Sequence, residues 1–445
     1  MINLLVTFSL ILIPLIIWIG FGDGVRAPKE IASIICLFGI IGVAVTKYAM
    51  RPFKQKWVFL FVLWCAASTL FSNYMLKLEI LTDLSEANIA ATLLMPSRIF
   101  HLQEMYFILL AFVSIYVLSS SVARHGVTSI GNVHVVENAG VFDMRIISNA
   151  VSFVILALCL YAIVQALGLD QIFRVGNPDF PRTEDHPIFG RAMFRGAFAH
   201  RIVGTLGNPA ILGTWLALSA PFLYYSWKKR IVHIALLIVV LLITDSTTAQ
   251  FCFVIVTLFY LLSKLLSKNR VLPFILASII AVSIMASYAV VFLDVGHFIK
   301  NKNAQSALNT TGRALVHYEA AKLCQNNFMF GMGLGTFEEH FTKNQSMFFK
   351  MSHNSWRQMH DEYGQIWFSV GLVGLVLFVL ALFHIFAQYT HFLKVSSFPT
   401  GSIVLMSSFI GYMIMSTTYF PMRVPPHSFY LVITTGLLLN QIQGE

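Results

Sequence analysis

Apolar runs of about twenty residues recur along this chain, and that repetition limits the fold more than any single motif does. A helix needs about 20 apolar residues to cross the hydrocarbon core of a bilayer, where its backbone groups must all be bonded internally. Runs near 3–20, 29–47, 57–72, 104–122, 146–167, 207–227, 231–244, 248–266, 271–293, 363–387, 401–419 and 428–441 predict twelve such helices, the seventh and twelfth short. Charged residues make up 11% of the 445 and hydrophobic ones 57%, against roughly 25% charged in a soluble domain. The expected fold class is all-α, a polytopic helical membrane protein.

Lysine and arginine in short loops set the orientation. Lys47, Arg51, Lys54 and Lys56 fill one loop, Lys228, Lys229 and Arg230 another, and Lys264, Lys268 and Arg270 a third. All three share one side when both termini are cytoplasmic, which puts 73–103, 168–206, 294–362 and 420–427 outside. The first run lacks a basic flank and a small-residue cleavage site, so it reads as a retained span. The organisation expected is a nine-span bundle over 1–293 with an arginine-rich loop at 168–206, an exterior loop at 294–362, and three spans over 363–445.

Several function classes lose support at once. The formal charge of +10 would suit nucleic acid, but in a membrane chain its placement in loops matters more than its sum. The five cysteines form no CxxC pair, so neither a disulfide framework nor a zinc site is expected. No G-x-x-x-x-G-K-[ST] loop is present for a nucleotide. Apart from His384 and edge residues such as Glu104 and Asp245, the runs carry few ionisable groups, whereas ion-coupled transporters keep such groups at mid-membrane. A solute transporter stays the non-enzyme alternative, and chemistry on the outer face is favoured.

Three stretches bear motifs. In HRIVGTLGNPAILGTWLALSAP (200–221), Gly207, Asn208 and Pro209 turn a loop into the sixth span; Asn-Pro opens helices, and free amides at a helix start attract anions. Arg201 lies just upstream, and the loop before it also carries Arg174, Arg182, Arg191 and Arg195. These side chains are either solvated surface or a grip for an anion such as a phosphate, which guanidinium groups hold in bidentate fashion. In TGRALVHYEAAKLCQNNFMFGMGLGTFEEHF (311–341), a helix running to about Cys324 is followed by a Gly-rich turn and a short helix. GMGLG follows no strand, so a dinucleotide site is rejected; Arg313 either binds an anion or pairs with a carboxylate such as Glu319.

The third stretch, RQMHDEYGQIWFSVGLVG (357–374), sets His360, Asp361 and Glu362 at the mouth of the tenth span. His360 and Gly371 show a His-x10-Gly spacing, which His353 and Gly364 share. A histidine near a helix N-terminus is kept neutral by the dipole and is suited to accept a proton near pH 7. It can equally be an interfacial side chain bonded to headgroups or to Asp361.

In order and spacing the three stretches resemble the O-antigen ligase and O-antigen polymerase superfamily. That pattern is a Gly-x-x-Gly-Asn-Pro turn, a Gly-Arg helix with a Gly-x-Gly turn, and a His-Asn-x-Tyr-x-Gln-x-x-x-Glu-x-Gly-x-x-Gly run. The counterparts here are GTLGNPAILG, TGRALVHYEAAKL with GMGLGTF, and HDEYGQIWFSVGLVG, within roughly 145–390. The resemblance implies a GT-C-like bundle of about 12 spans with a long helical periplasmic loop between spans nine and ten. It selects His360 as the catalytic residue, in register with Tyr363, Gln365, Gly371 and Gly374, and leaves His353 in reserve with Tyr363 and Gln365. Asp361 stands where Asn is usual, Ser369 where Glu is usual, and Ala210 where Asn is usual, while a Ser-Arg pair opening the eighth span appears as Ser246-Thr247.

The implied activity moves a glycan from undecaprenyl pyrophosphate to a hydroxyl of the lipid A core at the periplasmic face of the inner membrane. Arg201, Arg313 and Arg195 would hold the pyrophosphate, with no metal and no cofactor. The partners are the lipid-linked glycan, the core or growing glycan as acceptor, and membrane lipid, with no nucleic acid. A polymerase that extends lipid-linked repeats, and a protein O-oligosaccharyltransferase, are the enzymatic alternatives. Glu362 reads as a surface charge.

Overall fold

The structure is a computed structural model and describes residues 1–16, 26–52, 54–83, 97–122, 142–170, 202–265, 311–344, 358–359, 361–395 and 400–444. Over these residues the chain is helical: α1 (Ile2–Leu15), α2 (Arg26–Lys47), α3 (Lys56–Asp83), α4 (Ser97–Ser120), α5 (Met144–Ala166), α6 (Pro209–Tyr224) and α7 (Ile231–Ile243). There follow α8 (Thr247–Leu265), α9 (Thr311–Leu323), α10 (Phe337–Asn344), α11 (Glu362–Val395), α12 (Thr400–Met415) and α13 (Pro425–Gly444). Among the described residues, extended pairing is limited to Ala49–Met50 against Ser121–Val122, antiparallel. The all-α class is therefore met. Among the described residues, four helices are long and apolar enough to cross a membrane: Pro28–Lys47, Met144–Ala166, Thr247–Leu265 and Glu362–Leu393. Shorter apolar helices such as Ile2–Leu15 and Pro209–Tyr224 run 10–17 residues. The run expected at 271–293 lies outside the described residues.

The helix ends sort into two poles. At one, Arg51 Nη1 donates to Gln443 O at 2.7 Å, and Arg230 Nη1 donates to Phe222 O at 2.6 Å. Gly401, at the start of α12, has Met144 and Gln441 against it there. At the other pole, Thr205 Oγ1 donates to Pro14 O at 2.7 Å and Lys29 Nζ to Ile16 O at 2.6 Å. The start of α11 meets the turn after α12 at the same pole, where Glu362 N donates to Ser416 O at 2.8 Å. The basic loops around Arg51 and Arg230 thus lie at one end, and the candidate site is built at the opposite one.

Between the poles, one continuous apolar core holds the bundle together, with Trp215, Phe222, Phe259, Tyr412 and Tyr430 among its fully buried side chains. In an apolar environment helices associate through close packing, which small residues permit. Gly411 of α12 faces Leu218 and Val256, and Gly213 of α6 has Ala249 of α8 so near that an added Cβ would lie 2.8 Å from its Cβ. Two buried hydroxyls of α12 are satisfied by carbonyls, Ser407 on Ile403 O (2.7 Å) and Ser408 on Leu218 O (2.8 Å), which removes the cost of burying them alone.

Candidate active site

The site is assembled from three pieces at the second pole. The first is the start of α6. Gly204 to Leu206 form one 3₁₀ turn, and Gly207 closes it in the left-handed region (φ 74°, ψ 2°), a conformation that favours glycine. Asn208 is extended and caps α6: its Oδ1 accepts from Ala210 N at 2.8 Å and from Ile211 N at 3.4 Å. Pro209 takes the first helical position, where its missing N–H costs nothing. The turn that opens α8 lies close by, with Thr244 and Ser246 against Gly213.

The second piece is the pair α9 and α10 with the Gly-rich turn between them. Val316, Ala320 and Cys324 form a small separate core with Phe337, Phe341, Met359 and Phe368. Phe337 stacks on Phe341 at 5.1 Å between centroids and meets Phe368 edge-on at 5.0 Å. Burial pushes the Cys324 thiol up to about 12, so at neutral pH it is a filler and not a nucleophile.

The third piece is the lip and first turns of α11. The helix breaks at Gly371 (φ 72°, ψ −175°), a conformation open essentially to glycine alone. The break frees backbone groups, and the Gly-rich turn takes them up. Met332 N donates to Phe368 O and Gly333 N to Ser369 O, both at 2.8 Å. In return Leu372 N donates to Phe328 O at 2.9 Å and Val373 N to Met329 O at 3.4 Å. Val370 O accepts from Trp64 Nε1 at 2.8 Å. Gly331 and Gly371 make this approach possible: a Cβ at Gly331 would sit 2.5 Å from Gly371 N, and one at Gly371 would run into Met329 O. Irregular backbone within an apolar helix is tolerated where protein satisfies it, and here it is.

At the lip, Asp361 caps α11. Its Oδ1 accepts from Tyr363 N and its Oδ2 from Gly364 N, each at 3.1 Å. His317 of α9 reaches the same Oδ2 with its Nε2 at 3.2 Å. Gln365 turns back so that its Oε1 accepts from Met359 N at 2.9 Å, and the Tyr363 hydroxyl donates to Met413 O at 2.9 Å.

Glu362 corrects the expectation of a surface charge: it is 1% exposed. Its Oε1 lies 3.5 Å from Arg423 Nε, and its Oε2 accepts from Met422 N at 3.2 Å. Arg423 also binds Glu104 of α4 through Nη1 at 2.9 Å. Burial acts to lower the Arg423 guanidinium, but Glu104 and Glu362 outweigh it and hold it above its usual value. A carboxylate removed from water is stable only when paired, and this network supplies the pair.

His360, His353, Arg195 and Arg201 lie outside the described residues, and Arg313 falls in the first turn of α9 with its side chain outside them. The structure does bring together Asp361, Tyr363 and Gln365 of the lip with α9, on which position 313 stands one turn before His317. The helix that Gly207, Asn208 and Pro209 open, α6, meets the first turn of α13. Thr214 Oγ1 lies 3.0 Å from His427 Nε2, and Tyr412 donates to His427 O at 3.0 Å. Sequence reasoning did not anticipate that His317, Arg423 and Glu104 would join the bonded network around the lip. Arg423 carried a signal, since it stands alone in a short connection between two apolar runs.

Residues 232–379 match the protein-family model described as O-Antigen ligase. The match places this region, with α9, the Gly-rich turn and the lip of α11, in the O-antigen ligase and polymerase superfamily of membrane glycosyltransferases. The 200–221 stretch lies before the matched residues. No curated protein matches the chain.

Proposed function

We propose that the protein is a membrane glycosyltransferase of the O-antigen ligase type, transferring a glycan from undecaprenyl pyrophosphate to a hydroxyl of the lipid A core. The observation that carries this reading is the O-antigen ligase match over 232–379, which includes the capped lip of α11 and the α9 helix bonded to it. In this reading the chain has twelve spans in the bacterial inner membrane, both termini in the cytoplasm, and its site on the periplasmic face. The exterior loop 294–362 and the arginine-rich loop 168–206 supply the groups around the reacting atoms.

The acceptor oxygen attacks the anomeric carbon of the donor sugar, the bond from that carbon to the pyrophosphate oxygen breaks, and the acceptor proton passes to His360. Arg201, Arg313 and Arg195 stabilise the negative charge that builds on the departing pyrophosphate, an electrostatic contribution that is often the largest in such a step. The arginine charges serve in place of a metal ion.

Complementation of a gene deletion with wild type or His360→Ala, followed by gel analysis of the surface glycans, tests the reading. His360→Ala lowers transfer by roughly 10²–10⁴-fold, the usual worth of a general base, and leaves bare core with polymer held on its carrier. Core bearing a single repeat in the deletion strain would make the protein a polymerase instead. If His353→Ala is dead while His360→Ala behaves as wild type, the register is wrong. Unchanged glycans with both variants would remove the enzyme reading itself.

A further inference from the structure

His360 is bracketed by two anchored residues. On one side Met359, 1% exposed, donates its N–H to Gln365 Oε1 at 2.9 Å. On the other, Asp361, also 1% exposed, accepts from Tyr363 N and Gly364 N at 3.1 Å and faces His317 Nε2 at 3.2 Å. Gly364 is what lets the carboxylate fold back so tightly, for a Cβ there would lie 2.7 Å from Asp361 Oδ2. The cap amides belong to α11 itself, but His317 belongs to α9, so this contact alone among the three crosses from one helix to another. Its side chain is 21% exposed and Asp361's 2%, so the pair is half sheltered from water and keeps more of its strength than a surface ion pair does.

We propose that His317 and Asp361 form a clamp that positions the lip of α11 against α9, the helix on which position 313 stands. The proposal rests on the reading above and adds to it two positioning residues. Asp361 is chain neighbour to His360, and position 313 stands one helical turn from His317, so this bond, beside the packing of Val316 and Ala320 with Met359 and Phe368, joins the two chain segments to which the proposed function assigns the proton and the pyrophosphate. An asparagine at 361, usual in the family this chain resembles, would keep the cap but meet His317 as a neutral acceptor. An ionised aspartate makes the bond from an Nε2–H charge-assisted, and an ion pair when the imidazole is protonated.

The experiment uses the full chain in lipid nanodiscs and reads two quantities. The first is hydrogen exchange of the amides of Tyr363 and Gly364, and the second is glycan transfer from a lipid-pyrophosphate donor. His317→Ala raises exchange roughly tenfold, the factor that loss of one hydrogen bond to a charged group corresponds to. It lowers kcat while leaving the donor KM within about twofold, as expected for a group that orients reactants without binding them. His317→Gln, which keeps an N–H donor of similar reach, recovers most of both, and thereby separates lost positioning from lost folding. Asp361→Asn likewise retains most of the protection. Unchanged exchange in His317→Ala overturns the clamp whatever happens to transfer. Raised exchange with unaltered kcat overturns its positioning role. Should His360→Ala leave transfer intact, the assignment of the proton to His360 fails, and the exchange result still decides whether the clamp exists.

Discussion

Two of the helix starts at the site pole, those of α6 and α11, carry side-chain caps of contrasting kinds. Asn208 caps α6 with a neutral amide oxygen that serves two backbone amides of its own helix. Asp361 caps α11 with a carboxylate that serves two amides and also faces a histidine from another helix. The residue after each cap widens the contrast. Pro209 simply fits the first turn, while Glu362 enters a buried ion network with Arg423. Both starts begin an apolar helix, so the hydrophobic pattern treats them alike. The α6 start is a local device that any chain entering a helix could use. The α11 start is held by distant partners, which is the condition for keeping a charged, reactive edge in one place.

The glycines give the largest expected difference. Gly371→Ala puts a Cβ into Met329 O at a backbone conformation L-residues avoid, and should cost about 5 kcal/mol, the upper range of strain plus overpacking. Gly213→Ala in α6 meets only side chains at helical geometry, and should cost about 1–3 kcal/mol. Unfolding free energies in mixed micelles compare them directly; equal costs would erase the contrast.

Next in size is the ion network. Arg423→Met leaves Glu362 and Glu104 without their counter-charge, and breaking such a buried pair typically costs about 3–5 kcal/mol. Restoring much of that stability with a second change, Glu362→Gln, would show that the stranded carboxylate is the cause. The smallest effects concern the caps. Asn208→Ala should lose about 1 kcal/mol, the ordinary worth of a cap. Asp361→Ala should lose about 2–3 kcal/mol because a charge-assisted bond goes with it. A loss at 361 no larger than at 208 would mean that His317 adds nothing.

The features legible in the sequence were those whose cause is local. Asn208-Pro209 announces a helix start because both residues act on amides within one turn. The apolar runs announce helices because each must satisfy its own backbone. The helix ending near Cys324 and the short one after GMGLGTF followed from turn glycines in the same way. What could not be read is what depends on a remote partner. Glu362 looks like any charge at a helix mouth until Arg423 is seen against it. His317 looks like a surface residue of α9 until the fold sets Asp361 beside its ring. Gly331 and Gly371 were each recognised as turn or motif glycines, but only the folded chain shows that they are two halves of one close approach.

The exchange of bonds at Gly371 has a consequence for how portable segment 311–344 is. Leu372 and Val373 draw their acceptors from Phe328 and Met329, and Phe368 and Ser369 draw their donors from Met332 and Gly333. Were 311–344 removed, or replaced by a segment with a different turn, four backbone groups in the first turns of an apolar helix would lose their partners together. A graft between relatives would therefore have to carry the turn and the broken helix as a single inherited unit. Natural variation should obey the same constraint, with changes in 328–333 and 366–374 arriving as matched sets.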